Sequence, residues 1–153
     1  MRVITPVNHQ KKSQGLAALE FIICLPVLLM LSVLVLDVGR VLIQYTELNK
    51  ALQNGVRYAV VDTYGTLDFT AIADEGSIKN VVIYGNPQVN DSSEPMIDYI
   101  SADDIVITQP TPISKEVTLS ASFVYEPFFS ELPFSDVSLA FNVAASSKMR
   151  TAP

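Results

Sequence analysis

The chain of 153 residues has one cysteine, one histidine and no tryptophan. A single cysteine excludes an internal disulfide framework and any zinc site built on paired cysteines. With one histidine, the usual kit for nucleophilic or metal catalysis is nearly empty. The pattern also contains no nucleophile–base set, no glycine-rich phosphate loop and no metal cluster, so an enzyme and a bound cofactor are not expected. Asp91, Glu94, Asp98, Asp103 and Asp104 lack the spacing of an EF-hand calcium loop. Basic residues are scarce as well, 10 Lys+Arg against 16 Asp+Glu, for a net charge of −6. Nucleic-acid binding needs a basic face to meet phosphates, and that class is excluded. The length allows one compact domain with an appendage rather than two full domains.

What the chain has in excess is apolar residues, with a mean hydropathy of +0.32. The excess is concentrated in Leu16 to Leu36 (LAALEFIICLPVLLMLSVLVL), a run with the single charge Glu20. As a helix this run spans about 31 Å, close to the roughly 30 Å hydrocarbon core of a bilayer. Arg2, Lys11 and Lys12 precede it without an acid, whereas the segment beyond Asp62 holds twelve acids and four bases. The positive-inside rule then keeps residues 1–15 cytoplasmic and carries the acidic remainder across. A removable secretory signal fits less well, because no small-x-small cleavage site follows the run. Cys24 lies mid-run behind Ile22 and Ile23, a poor lipoprotein site, and reads as a buried apolar filler.

Helical period continues past the run. Val41, Tyr45, Leu48, Leu52, Gly55 or Val56, and Ala59 form an apolar stripe, and Glu47, Lys50, Asn54 and Arg57 form the solvated face opposite. No strong stop appears before Asp62-Thr63-Tyr64-Gly65, so one helix of about 70 Å is expected from Leu16 to Asp62, kinked at Pro26. Ile72, Ile78, Val81 and Val82, within the stretch from Phe69 to Tyr84, fit a second short helix stopped by Gly85-Asn86-Pro87. Pro87 to Asp104 is polar and acidic and reads as loop. The period then changes to two, over Ile105–Thr108, Val117–Tyr125 and Val137–Ala145, as half-buried antiparallel strands. Phe128, Phe129 and Phe134, in the connection between the last two, are expected to cover the sheet. The fold class is α+β: a long N-terminal membrane-spanning helix whose distal half packs on a small antiparallel sheet that would not be stable alone. The boundaries are a leader over 1–15, a membrane helix over 16–36, its continuation outside over 37–62, and an extracytoplasmic α+β domain over 63–153.

The run Lys11-Lys12-Ser13-Gln14-Gly15-Leu16-Ala17-Ala18-Leu19-Glu20-Phe21 carries the functional signal. A basic polar leader ends in glycine, an apolar helix begins at once, and a carboxylate stands at its fifth position. A charge inside a bilayer costs about 2.5 kcal/mol or more, so Glu20 calls for a partner or a purpose. Cutting after Gly15, where glycine offers an extended, unhindered backbone to a protease, creates an ammonium on Leu16 four residues before Glu20. In a stack of such helices one chain's Glu20 meets the next chain's ammonium and both desolvation costs are offset. The alternative is a Glu20 that snorkels to the cytoplasmic headgroups. His9 falls in the discarded leader.

The stretch from Gly15 to about Val61 resembles the TadE-like family, pilin-like proteins (pseudopilins) of the Flp, or Tad, type IVb pilus machinery. The features that carry the resemblance are Gly15, Glu20-Phe21, Leu25-Pro26, Asp37 with Gly39-Arg40, Tyr45, and Gly55-Val-Arg57-Tyr58-Ala59. They cover a little under a third of the chain and are specific as an ensemble. Gly85-Asn86-Pro87 and the ending Lys148-Met149-Arg150 are similar more loosely. The resemblance implies a pilin-like fold and cleavage after Gly15 by a prepilin peptidase, with Leu16 becoming the first residue and Glu20 and Phe21 acting as recognition residues. It also implies a minor pilin or assembly factor of an adhesive pilus, with other pilin-like subunits and an inner-membrane assembly platform as partners. Ordinary type IV pilins begin the mature chain with an aromatic residue, and Leu16 at that place favours the Flp-type subclass.

Pro26, Asp37, Arg40, Gly55 and Arg57 are the remaining candidates for helix packing and assembly. Asp37 and Arg40, one turn apart, either dock a neighbouring subunit or form an interfacial i,i+3 ion pair. Leu25-Pro26 either shapes a kink or is a tolerated membrane proline. A single-pass scaffold that is never polymerised is the alternative function. It would need neither a cleavage site nor a carboxylate in the apolar run.

Overall fold

The computed structural model describes residues 10–61, 71–129 and 138–151, with side chains from residue 15 onward. The leader residues 1–9, the expected helix stop at 62–65, Phe69, Phe134 and Val137 lie outside the described residues. The chain forms two compact units, residues 1–39 and 40–153. The fold is α+β.

Helix α1 (Gln10–Ala59) contains Pro26 and ends with Arg57 in its last turn, a cation favourable to the negative end of the helix dipole. It starts six residues before Leu16, because Gln10 to Gln14 contains only residues that tolerate helix and a lone glycine does not break it. Gly15 is therefore helical, not extended as the sequence suggested. The helix continues on both sides of Pro26. In the first unit most apolar side chains point outward: Leu16, Phe21, Ile22, Leu28 and Val35 are each more than half exposed.

The second unit begins with the distal part of α1. Leu48, Leu52, Val56 and Ala59 enter its core with almost no exposure. Tyr45, assigned to the same stripe, remains 43% exposed, since it stands at the flank of that face rather than its centre. Helix α2 (Glu75–Tyr84) is capped by Asp74, whose carboxylate accepts from the Ser77 amide at 3.0 Å. It stops at Gly85, which takes φ 74° and donates its N–H to the Val81 carbonyl. That left-handed turn is the one the glycine was expected to make. Ile78, Val82 and Ile83 bury the inner face.

The stretch after α2 is irregular, as its polarity implied, but it is not a surface loop throughout. The Met96 and Ile97 amides both donate to the Ile83 carbonyl, and Ile97 and Ile100 are buried. A 3-10 turn at Ala102–Asp104 leads into the sheet, and Ser101 donates to the Asp104 carboxylate from both N–H and Oγ. Those two bonds hold the Asp104 carboxyl below the usual carboxylate range.

Strands β1 (Ile105–Thr108), β2 (Glu116–Tyr125) and β3 (Phe141–Arg150) form an antiparallel sheet in the order β1-β2-β3. Alternate residues Val117, Leu119, Ala121, Phe123 and Tyr125 are buried, the period-two face read from the sequence. Strand β3 keeps the expected inward residues Val143 and Ala145 but runs five residues further, to Arg150. It does so because ten-residue β2 offers a full ladder, with Glu116 opposite Arg150 and a Lys148–Glu116 ion pair at 3.4 Å. Leu139 stands ahead of the strand, where Ser138 Oγ accepts from the Ala140 amide. At the β1–β2 turn Lys115 takes φ 46°, and its carbonyl accepts from both N–H and Oγ1 of Thr151, which is buried. Phe128 packs edge-to-face with Phe129 yet is 71% exposed, so it does not cover the sheet as expected.

Candidate functional site

The candidate residues lie along α1, and the helix determines which of them can act together. Gly15 has nothing within 4 Å of the place a Cβ would occupy. Leu16 and Glu20 are four residues apart, hence on one side of the helix a turn apart, and both are exposed. Phe21, beside Glu20, is 58% exposed. Cys24, one further turn along, is exposed rather than buried. Among the described residues none buries it, and the adjacent Ile23 is exposed as well. Pro26 is exposed as well, and Asp37 is half-buried.

In the second unit the Arg40 guanidinium lies 5.9 Å from the centroid of the Tyr125 ring, a cation–π approach that the sequence did not indicate. Tyr125 is almost fully buried, so the arginine covers one end of the core. Gly55 is buried where α1 packs on α2 and β2. A Cβ there would collide with Val82 Cγ2 of α2 and lie 2.9 Å from Leu119 Cδ2 of β2. Arg57 remains on the exposed face, as its position opposite the stripe implied. The structure thus separates a surface-exposed group, Gly15 to Pro26, from a packing group around Gly55.

These residues share more than a helix. A family model of TadE-like proteins matches residues 15–57. That segment is similar to TadE-like proteins. The match begins at Gly15 and ends at Arg57, and so contains every candidate position from the exposed group to the packing group. The TadE-like segment also includes a helix long and apolar enough to cross a membrane once. No curated protein and no solved structure matches the chain.

Two residues that sequence reasoning passed over connect the TadE-like helix to the remainder of its unit. The Tyr99 hydroxyl donates to the Gln44 carbonyl of α1, and its ring lies 4.6 Å from that of Phe123. Gln44 Oε1 is buried with no hydrogen-bond partner among the described residues. The only signal for Tyr99 was a short apolar cluster, Met96-Ile97 and Tyr99-Ile100, inside an otherwise acidic stretch. Tyr45 and Asn49, on the other flank of α1, border an open cavity of about 410 Å³ with Ser120, Ser122 and Ser146.

Proposed function

We propose that the protein is a minor pilin-like subunit, a pseudopilin, of an adhesive Flp-type Tad pilus, with a structural and not a catalytic role. In this reading residues 16–36 span the bacterial inner membrane, the N-terminus is cytoplasmic and the acidic remainder is periplasmic. Its partners are the prepilin peptidase, which cuts after Gly15, the other pilin-like subunits, and the inner-membrane assembly platform.

The observation that carries the reading is the exposure of the TadE-like helix. Its apolar side chains from Leu16 to Leu36 are outward, and a carboxylate, Glu20, stands among them. Such a surface is stable only in lipid or against other helices. Lipid alone leaves Glu20 at a cost, whereas a neighbouring subunit with a free ammonium at Leu16 offsets it. Phe21 then follows Glu20 as the second residue read by the peptidase.

Intact-mass measurement of protein from membranes tests the proposal. Peptidase-positive cells should yield a chain that starts at Leu16. Gly15→Leu should leave a precursor heavier by about 1.7 kDa, the mass of a fifteen-residue leader. Wild-type protein that keeps Met1 in those cells would overturn the reading.

A further inference from the structure

Strand β2 runs alongside the distal part of α1, and contacts within the second unit fix its direction. A Cβ on Gly55 of α1 would lie 2.9 Å from Leu119 Cδ2. Fifteen residues earlier on the helix, about 22 Å along its axis, the Arg40 guanidinium lies 5.9 Å from the centroid of the Tyr125 ring. Between these levels Tyr99 bonds to the Gln44 carbonyl and stacks on Phe123. The Tyr125 end of β2 is therefore the end nearest Arg40, the fourth residue past Leu36, where the apolar run stops. Aromatic residues gather at this end. The Tyr125 ring lies 5.6 Å from that of Phe141, its partner across the ladder. Three residues on, Phe128 is 71% exposed and packs edge-to-face on Phe129, and Phe141 is 47% exposed. Clustered aromatic area that faces water marks a contact surface. Ile113, in the turn before Glu116, stands at the opposite end of β2, a strand about 30 Å long.

We propose that this aromatic end is a lipid-contacting surface: Phe128 and Phe141 enter the interfacial layer of the membrane that α1 crosses and hold the second unit against the bilayer. The placement rests on the membrane reading above, in which residues 16–36 span the hydrocarbon core. Arg40 then stands about 6 Å beyond that core, and the interfacial layer is about 5–7 Å deep on each side. The exposed guanidinium lies at the level of the lipid phosphates, and the Tyr125 ring beside it brings the neighbouring rings to the same depth. Phenylalanine side chains of surface-bound segments reach about 5–10 Å into the boundary between headgroups and acyl chains. A cation beside exposed rings suits that boundary, with phosphate for the arginine and acyl chain for the rings. Glu126, exposed between Tyr125 and Phe128, limits the depth, because a carboxylate carried into hydrocarbon is costly. Position selects lipid over a protein partner: the patch begins where the apolar run ends, on a chain anchored beside the bilayer surface.

The chain has no tryptophan, so a single introduced one reports on its own surroundings. Full-length protein carrying Phe128→Trp is reconstituted into phosphatidylcholine vesicles with bromine either high or low on the acyl chain, and unbrominated vesicles give the reference emission. High bromines should quench Phe128→Trp several-fold more than low ones, and Phe141→Trp should show the same order. Ile113→Trp, at the far end of β2, should keep its emission in every vesicle. Val27→Trp, at the middle of the apolar run, should be quenched most by low bromines. All four positions are exposed, so these changes leave the core intact. Quenching at 128 no greater than at 113 overturns the lipid contact, and a blue-shifted but unquenched Phe128→Trp overturns it in favour of a protein partner. Quenching at 27 with none at 128 leaves the membrane span standing and removes only the surface contact, whereas no quenching at 27 removes both.

Discussion

The Tyr99 hydroxyl donates to the main-chain carbonyl of Gln44 at 2.7 Å, linking the segment after α2 to the middle of α1 across 55 positions of sequence. The bond secures α1 at a level between the Arg40–Tyr125 contact and the buried Leu48, where the helix passes from surface to core. It also accounts for a tyrosine in an acidic loop: the ring is packed on Phe123, and the hydroxyl needs an acceptor once it leaves water.

The burial of Tyr99 makes stability depend on pH. Burial, then Glu47 and Asp98 nearby, pushes the Tyr99 hydroxyl from 10.0 up to about 12. The folded state holds the proton more tightly than the unfolded one, so the contribution is complete below pH 10.0 and is lost as pH rises through about 12. Ultraviolet titration should find the Tyr99 hydroxyl ionising late, and Tyr99→Phe should remove that phase. The same variant should lower unfolding free energy at neutral pH by about 1 kcal/mol, the value of one hydrogen bond. An unchanged alkaline titration in Tyr99→Phe would contradict the assignment.

Gly55 sets the distance between α1 and α2. A methyl group at this position meets Val82 and Leu119, both buried, so the helices must separate or the side chains must leave their rotamers. Gly55→Ala should destabilise the second unit by about 1–3 kcal/mol despite the better helix propensity of alanine. Gly39→Ala, where a Cβ meets nothing within 4 Å, is the matched control and should not destabilise. Urea unfolding of the two variants in micelles checks the contrast.

Glu20→Ala separates insertion from assembly. Removing the carboxylate relieves about 2.5 kcal/mol or more of transfer cost, so membrane insertion should be retained or improved. Assembly should be lost, because the Leu16 ammonium of the neighbouring copy would enter an apolar bundle unpaired. Counting pili alongside the mass of the processed chain reads both effects. A correctly processed Glu20→Ala protein that yields normal pili would leave snorkelling as the account of this residue.

The reading of the candidate site rests on a local signal. Gly15, Glu20 and Phe21 stand in a short window where charge, glycine and apolar run change within a few residues, and no tertiary contact is needed to see it. The exposure of Leu42 and Ile43 was not legible. Tyr45 and Ile43 are both apolar and both on α1, and only the position of the sheet and α2 decides which is flank and which is surface.

The sequence by itself determined the apolar run of α1, the second helix with its stop at Gly85, and the inward residues of β2, because periods of 3.6 and 2 and a left-handed glycine are properties of neighbouring residues. The tertiary structure alone decided the limits of β3, since a strand ends where its partner's ladder ends, and Glu116, the first residue of β2, pairs with Arg150. It alone decided that Ile97, Tyr99 and Ile100 turn inward from a polar segment, because the Ile83 carbonyl at the end of α2 and the Gln44 carbonyl of α1 are far away in sequence and close only after folding. Burial belongs to the pair of surfaces that meet, and a sequence shows only one of them at a time.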